Sequence, residues 1–305
     1  MFFRNLTLFR FPESVENTLD HLQKNLESHR LRECGPLELA TRGFISPYGR
    51  DSEQLVHQIG AFSLFTIGTE ERLLPAVVVA EELADRIDRM HHKEGRRPGA
   101  RERKRLKEEV ISELLPRAFI RPSRLSAYLD AKHGWFVVDS ASRKAAEDAV
   151  SQVREALGRF PATPMAPAES VRNLMTGWLI GGKLPAGLAL GEECELRDPA
   201  EAGAIVRCRR QDLESDEVRE HLKSGKQVFQ LGLVFDDRMS FVLGEDLVVR
   251  KLKFLDVVLD TLGEQTAESK QAELDAVFAL MTLELQNLFA RLDQWFDVPR
   301  PGERD

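Results

Sequence analysis

The alternation of apolar and polar residues changes along the chain, and each change predicts a different kind of secondary structure. The first quarter contains short apolar runs separated by turn residues, a pattern typical of β-strands. Between two of these runs, Leu19, Leu22 and Leu26 recur at helical spacing. We therefore predict strands at residues 2–11 and 37–45, one or two strands at 54–67, and a helix at 13–29.

The next segment lacks this alternation and favours helices. Residues 76–90 are rich in alanine, valine and glutamate and contain no breaker. Residues 100–115 place Leu106 and Val110 on one apolar side, opposite a basic side. Because the glycine-containing segment 95–99 separates the two stretches, we predict two consecutive helices.

Beyond residue 120 the pattern mixes short strands with helices. A hairpin is predicted at 125–139, and Ser142 and Ser215 are suited to cap the helices that follow them. The remaining predicted elements are helices at 142–157, 168–180, 215–223 and 272–296 and strands at 187–195, 203–209, 227–235, 239–243 and 247–252. Together the elements predict an α+β fold without an internal repeat.

The composition is that of an ordinary globular protein. The 305 residues are 42% hydrophobic and 30% charged, and no stretch is apolar enough to predict a membrane span. The amino-terminal residues alternate and do not resemble an export signal, so the cytosol is the expected compartment. Cys34, Cys194 and Cys208 are far apart in the sequence, and we expect buried thiols instead of disulfides or zinc ligands. No metal or other cofactor is expected.

Charge is distributed unevenly. The formal net charge is −7, yet residues 93–107 contain eight Lys or Arg against two Glu. One interpretation is a solvated helix face. The other is a surface that contacts phosphate, since phosphate would relieve the repulsion between these cations and bind in a salt-dependent manner.

Further basic positions follow in the second half of the chain. Arg209, Arg210 and Gln211 occur where a predicted strand gives way to a helix, and such residues can donate to phosphate or sugar. Lys223 and Lys226 flank the end of a predicted helix, where cations also complement the helix dipole. Solvent-exposed turns are the alternative interpretation of these positions, and a third basic stretch, at 250–253, has the same two interpretations.

Motifs of enzymes are missing. Neither G-x-x-x-x-G-K-[ST] nor G-x-G-x-x-G nor G-x-S-x-G occurs, and the Gly-Gly-Lys sequence at 181–183 is interpreted as a helix end with a loop. The basic stretches contain no interleaved aromatic residues, which favours contact with a duplex backbone over stacking on single strands. Phe119, between Arg117 and Arg121, is either a core residue or an interface anchor.

Several segments together resemble the recombination-associated protein RdgC family. Their order and the chain length match, so the resemblance covers essentially the whole chain, and LLPRAF and RQDL are its more specific parts. The segments are FRNLTLFR at 3–10, KEEVISELLPRAFIRPSR at 107–124, KAAEDAVSQVREALG at 144–158, VRCRRQDLESDEVREHLKSGKQV at 206–228, RKLKFLD at 250–256 and FALMTLELQNL at 278–288.

The resemblance implies an elongated, horseshoe-like α+β chain with a projecting helical tip. Two copies of such a chain meet head-to-head and tail-to-tail and form a ring around duplex DNA. Phe119 matches the family's gate aromatic, which docks into the partner subunit. Arg210 and Gln211 match a pair implicated in DNA contact, with Arg where Lys also occurs, and Lys226 matches another basic position.

These expectations divide the chain into three regions. Residues 1–75 with 120–165 form a central α+β region, 76–119 a basic helical tip with the gate, and 166–305 a base region with a long C-terminal helix. The predicted DNA-binding residues are Arg97, Arg101, Lys104, Arg209, Arg210, Gln211, Lys223, Lys226 and Lys251.

Three functional hypotheses follow. The first is a non-enzymatic, nucleoid-associated homodimer that encircles duplex DNA without sequence preference and restrains RecA-dependent recombination. Binding of single-stranded DNA is left open. The second is a regulator that binds RecA directly, with DNA binding secondary. The third is an unrecognised hydrolase or nuclease, which no sequence motif supports.

Overall fold

The computed structural model describes residues 2–15, 19–49, 52–181, 183–200, 203–263 and 269–301. The described strands form two antiparallel sheets, and helices cover them. The prediction of an α+β fold is thereby confirmed. The horseshoe, the projecting tip and the ring dimer stay predictions, as do the three regions.

The first sheet joins seven of the described strands in the order β2-β4-β5-β6-β1-β7. Strand β3 pairs with β4 on the same edge as β2, because β5 occupies the whole of the other edge. The strands are β1 (Thr7–Arg10), β2 (Ala40–Ile45), β3 (Val56–Ile59), β4 (Phe62–Arg72), β5 (Ile120–Asp130), β6 (Trp135–Val138) and β7 (Thr163–Pro164).

The second sheet has five of the described strands in the order β12-β11-β10-β8-β9. The amino-terminal segment connects the two sheets, since Leu6 N donates to Val249 O at 2.7 Å just before the chain enters β1. The strands are β8 (Leu188–Arg197), β9 (Ile205–Arg209), β10 (Gln227–Phe235), β11 (Met239–Gly244) and β12 (Val249–Phe254).

The helices are α1 (Leu22–Glu27), α2 (Ala76–Glu94), α3 (Ala100–Leu114), α4 (Arg143–Leu157), α5 (Val171–Ile180), α6 (Asp216–Lys223), α7 (Asp256–Leu259) and α8 (Lys270–Phe296). Short 3-10 turns lie at Glu13–Val15, Leu115–Arg117 and Asp260–Leu262. None of the described helices is long and apolar enough to cross a membrane.

Two apolar clusters explain how the layers stack. One lies between α1, α4 and one face of the first sheet and includes Leu26, Phe136 and Val150. The other includes Trp135 of the first sheet, Leu285 of α8 and Leu231 of the second sheet. Helix α8 thus has apolar residues on a broad surface because it contacts both sheets.

Most elements lie where the pattern predicts them. The residues predicted to form one or two strands at 54–67 form two, and the second continues to Arg72. Ser142 caps α4 by accepting a hydrogen bond from Ala145 N at 3.3 Å, whereas the Ser215 side chain makes no cap bond. The continuous helix predicted at 13–29 is wrong, because its ends form a 3-10 turn and the short α1; residues 16–18 lie outside the described part.

The cysteine prediction is confirmed for all three residues, which are free and buried. Cys194 and Cys208 face each other across β8 and β9 and belong to the core of the second sheet. Burial, and then the neighbouring Cys208, raise the pKa of Cys194 to about 12. Of the glycine-lysine sequence at 181–183, residue 182 lies outside the described part, and Gly181 ends α5 in a left-handed conformation as expected.

Candidate nucleic-acid interface

One face of the second sheet carries a dense set of charged side chains. Along β8, Cys194 and Leu196 point into the core, so the alternating residues between and beside them point the other way. Register places Glu193 opposite Arg209 and Glu195 opposite Arg207 on β9. We call this surface the charged face; its residues are Glu193, Glu195, Arg197, Arg207, Arg209 and Lys251.

Glu195 is the centre of an ion-pair network on the charged face. Its carboxylate is 8% exposed and accepts hydrogen bonds from Arg197 Nε and Arg207 Nε, each at 2.7 Å. Burial raises the pKa of Glu195, but the hydrogen bonds from Arg207 and Arg197 outweigh it, so the pKa lies below its usual value. Glu195 is therefore an anion that holds two guanidinium groups at the surface.

Lys251 joins the charged face from β12. Its ammonium group pairs with the Glu193 carboxylate, and its backbone N donates to Asn5 Oδ1 at 3.3 Å. A register irregularity between Ser240 and Val242 accompanies its positive φ of 54°. This bulge turns a strand residue toward the neighbouring strands' charges.

The predicted pair Arg210 and Gln211 lies directly beyond β9. Arg210 has a φ of 52°, a left-handed conformation that is uncommon for a residue with a side chain. Gln211 N donates to Glu192 O at 3.2 Å, so the turn is anchored to β8. Arg209 and Arg210 are exposed, and no ion pair joins either to another described residue. These two cations are available to an anionic partner.

Lys223 and Lys226 lie near the carboxyl end of β8, whereas Arg209 and Gln211 lie beside its middle. Lys223 is the last residue of α6, and Lys226 follows Gly225, whose φ is 94°. The adjacent Gln227 pairs with Arg197. Because Arg209 pairs four residues earlier on β8, the two groups of cations are separated by about 13 Å along the strand, at roughly 3.3 Å per residue.

The other predicted cations lie on the pair of helices α2 and α3. Arg97 is in the connection between them, and Arg101 and Lys104 are on α3; all three are exposed. Within the described ranges none of these three takes part in an ion pair, whereas Arg96 pairs with Glu102 at 2.7 Å. The structure thus separates the predicted residues into a helical set and a set on or beside the second sheet.

Phe119 is exposed rather than buried, which excludes the core interpretation. Its side chain is 84% exposed, in the short segment between α3 and β5. Arg72 holds this segment, because its guanidinium donates to the carbonyl oxygens of Leu115 and Ala118 at 3.1 and 3.2 Å. A third hydrogen bond, from Leu73 N to Phe119 O at 2.8 Å, fixes the backbone of the phenylalanine itself.

Other large apolar side chains are exposed close to the end of β4. Leu39, Leu73 and Val77 are 61%, 42% and 70% exposed, respectively. Nearby, Leu39 also lines a groove of about 630 Å³ together with Leu83 of α2. Large exposed apolar patches are typical of protein interfaces.

Sequence reasoning missed Arg72, Glu195 and an aromatic stack at the edge of the charged face. Arg172 and Arg197 lie over the Phe229 ring, with guanidinium carbons 4.2 and 4.6 Å from its centroid. The alternation from Glu193 to Arg197 in the sequence could have indicated a charged strand face. Nothing in the sequence indicated the contacts of Arg72, which lie more than thirty residues away along the chain.

Across the described ranges, no group of three or more His, Cys, Asp or Glu side chains is arranged to hold a metal ion.

Comparison with known proteins gives a consistent result. A family model described as "RdgC: Putative exonuclease, RdgC" matches residues 1–298. The chain is 50% identical over 294 residues to the "Recombination-associated protein RdgC" of Xanthomonas axonopodis pv. citri (strain 306), covering 96% of this chain and 97% of the relative. It is 49% identical, over the same shares of both chains, to the protein of that name from Xylella fastidiosa (strain M12).

Proposed function

The chain belongs to the RdgC family of recombination-associated proteins, and we propose that it is a non-enzymatic DNA-binding protein that restrains RecA-dependent recombination. Two copies would close into a ring around duplex DNA at the nucleoid. The cations would contact phosphates, and the closed ring would keep the DNA inside.

The observation that carries this proposal is the position of Arg209 on the charged face and of Arg210 in the turn that follows it. Both are exposed and without a carboxylate partner among the described residues, and Gln211 adds a polar side chain to the same turn. Cations on a sheet edge and its following turn contact the phosphate backbone without reading bases. Affinity should then depend on salt and hardly on sequence.

The exposed Phe119 supports closure of a ring. An aromatic side chain that is 84% exposed, on a segment fixed by backbone hydrogen bonds, is suited to dock into another protein. A second copy of the chain provides such a partner by two-fold symmetry.

Fluorescence anisotropy with labelled duplexes of unrelated sequence tests DNA binding. We expect similar dissociation constants for all sequences and a steep loss of affinity as salt rises. Affinity that is constant between low and physiological salt would refute phosphate contact as the main interaction.

Retention on closed circular DNA tests the ring separately. Wild-type protein should stay on closed circles during a high-salt wash and leave them after linearisation, because a linear end lets a ring slide off. Phe119→Ser should lose retention while binding short duplexes as before. Equal retention on circular and linear DNA contradicts encirclement.

Direct regulation of RecA is the alternative. Recombinase assays with the DNA-binding variants separate the two functions: if Arg210→Glu with Lys226→Glu abolishes DNA binding but leaves RecA inhibition intact, the alternative is correct.

The printed family description favours testing a nuclease as well. Incubation of linear and circular DNA with Mg²⁺ or Mn²⁺ should leave both intact if the protein is not an enzyme. Shortening of linear DNA by purified protein, but not by the Arg210→Glu, Lys226→Glu variant, would overturn that part of the proposal.

A further inference from the structure

Two carboxylates lie among the cations of the charged face. Glu193 and Glu195 are on β8, which has β9 on one side and β10 on the other. Register directs Arg207 and Arg209 toward them from β9, and Lys251 reaches Glu193 from β12. The acidic residues are thus in the middle of the surface that would receive phosphates.

The Glu195 contacts use the donors that a phosphate would need. Arg207 is 59% exposed, whereas the carboxylate beneath it is only 8% exposed. The guanidinium therefore faces solvent while one of its N–H groups is engaged by Glu195. Carboxylate and phosphate compete for the same planar set of donors.

Glu193 likewise lies next to two cations of the charged face. It pairs with Lys251, and it is the register partner of Arg209, which makes no ion pair within the part of the chain that the structure describes. A negative charge between two cations lowers the positive potential that attracts a polyanion.

We propose that Glu193 and Glu195 limit the affinity of the charged face for DNA by occupying its phosphate-binding donors. This inference rests on the proposed function. A protein that encircles DNA is kept there by topology, so weak contacts are compatible with retention and permit sliding. The ligand that competes with these carboxylates is the phosphodiester backbone, whatever its base sequence.

The alternative role for these carboxylates is to position the arginines for DNA. The two roles predict opposite signs. If Glu195 only orients Arg197 and Arg207, its neutralisation loosens them and weakens binding. If it competes with phosphate, neutralisation strengthens binding and makes it more sensitive to salt.

The test measures the affinity of Glu193→Gln, Glu195→Gln and the double variant for a short duplex over a salt series. Glu147→Gln is the matched control, because Glu147 pairs with Arg143 on α4, which covers the first sheet. It adds the same net charge away from the charged face. We expect each single variant to bind roughly threefold to fivefold more tightly than the control at physiological salt, and the salt slope to steepen by about one per carboxylate.

Binding by the Gln variants that equals or falls below the control overturns the proposal. If Glu195→Gln melts at a much lower temperature than the wild-type protein, the affinity of Glu193→Gln alone tests the proposal. The Glu193 side chain is 30% exposed and the Glu195 side chain 8%. Failure of the wild-type protein to bind the duplex at any salt concentration refutes the proposed function. If only the Gln variants bind the duplex, the carboxylates still limit the affinity. If neither the wild-type protein nor any Gln variant binds, both proposals are refuted.

Discussion

The helical pair α2–α3 and the charged face are both basic, but they hold their cations differently. On α3 the cations lie on a helix that buries only Leu106 and Val110. On the charged face the cations belong to paired strands, and Arg197, Arg207 and Lys251 contact carboxylates. The density of charge along the sequence therefore does not identify the surface whose cations are held by ion pairs.

Charge reversal should have the largest effect on the affinity for DNA and should separate the two regions most clearly. We expect Arg210→Glu with Lys226→Glu to weaken binding of a short duplex by about a hundredfold, because two phosphate contacts become repulsions. Arg101→Glu with Lys104→Glu should lower the affinity about tenfold, since these exposed cations are on a single helix and not on or beside paired strands. Anisotropy at one fixed salt concentration measures both.

Circular dichroism serves as the control for folding of both double variants. A larger loss of affinity from the helical pair would show that the long basic run contributes more to phosphate binding than Arg210 and Lys226 do.

Truncation of buried valines tests whether the helical pair unfolds separately. Val110→Ala should lower local stability by about 2 kcal/mol, because the Val110 side chain on α3 is fully buried. Hydrogen exchange should accelerate in residues 76–119 only. Val228→Ala, at a fully buried position in the second sheet, should instead lower the melting temperature of the whole protein. Equal global melting shifts would show one cooperative unit.

Removal of the Arg72 guanidinium tests the attachment of the segment that carries Phe119. We expect Arg72→Gln to destabilise the protein by about 1–2 kcal/mol in denaturant titrations, because several carbonyl oxygens lose their donor. Retention on circular DNA should fall while short-duplex affinity is unchanged. Arg121→Gln, a neighbouring arginine that pairs with Glu71 at the surface, is the control and should retain circles normally.

The smallest expected effect is the pH dependence of the charged face. Because the pKa of Glu195 is lowered in the folded protein, its ion pairs stabilise the fold above the ordinary glutamate pKa of about 4.3. That stabilisation, about 1 kcal/mol or less, should disappear as pH falls through the folded-state pKa. Denaturant titrations at neutral and acidic pH should show it, and Glu195→Gln should lack this component.

Local periodicity predicted most elements because helix and strand patterns depend on near neighbours. The predicted limits of β10 are those observed, and α8 begins two residues earlier than predicted. The helix predicted at 13–29 failed, since Leu22 and Leu26 are buried as expected but only six residues around them form an α-helix. Packing against α4 and the first sheet, and not spacing alone, decides how far such a helix extends.

Pairing between distant segments could not be predicted in the same way. Glu193 and Lys251 are 58 residues apart, and Arg72 and Leu115 are 43 apart. Their contacts depend on strand register and on the paths of intervening loops, and a shift of one residue would turn each side chain to the opposite face.

The sequence by itself determined the order of helices and strands, the basic run at 93–107 and the resemblance to one family. Only the tertiary structure decided that Phe119 is exposed and held by Arg72, and that Arg207 and Lys251 contact carboxylates while Arg209 and Arg210 have no such partner among the described residues. The physical reason is that secondary structure follows from hydrogen bonds and side-chain spacing within a few residues, whereas exposure and ion pairing follow from which distant strands the core brings together.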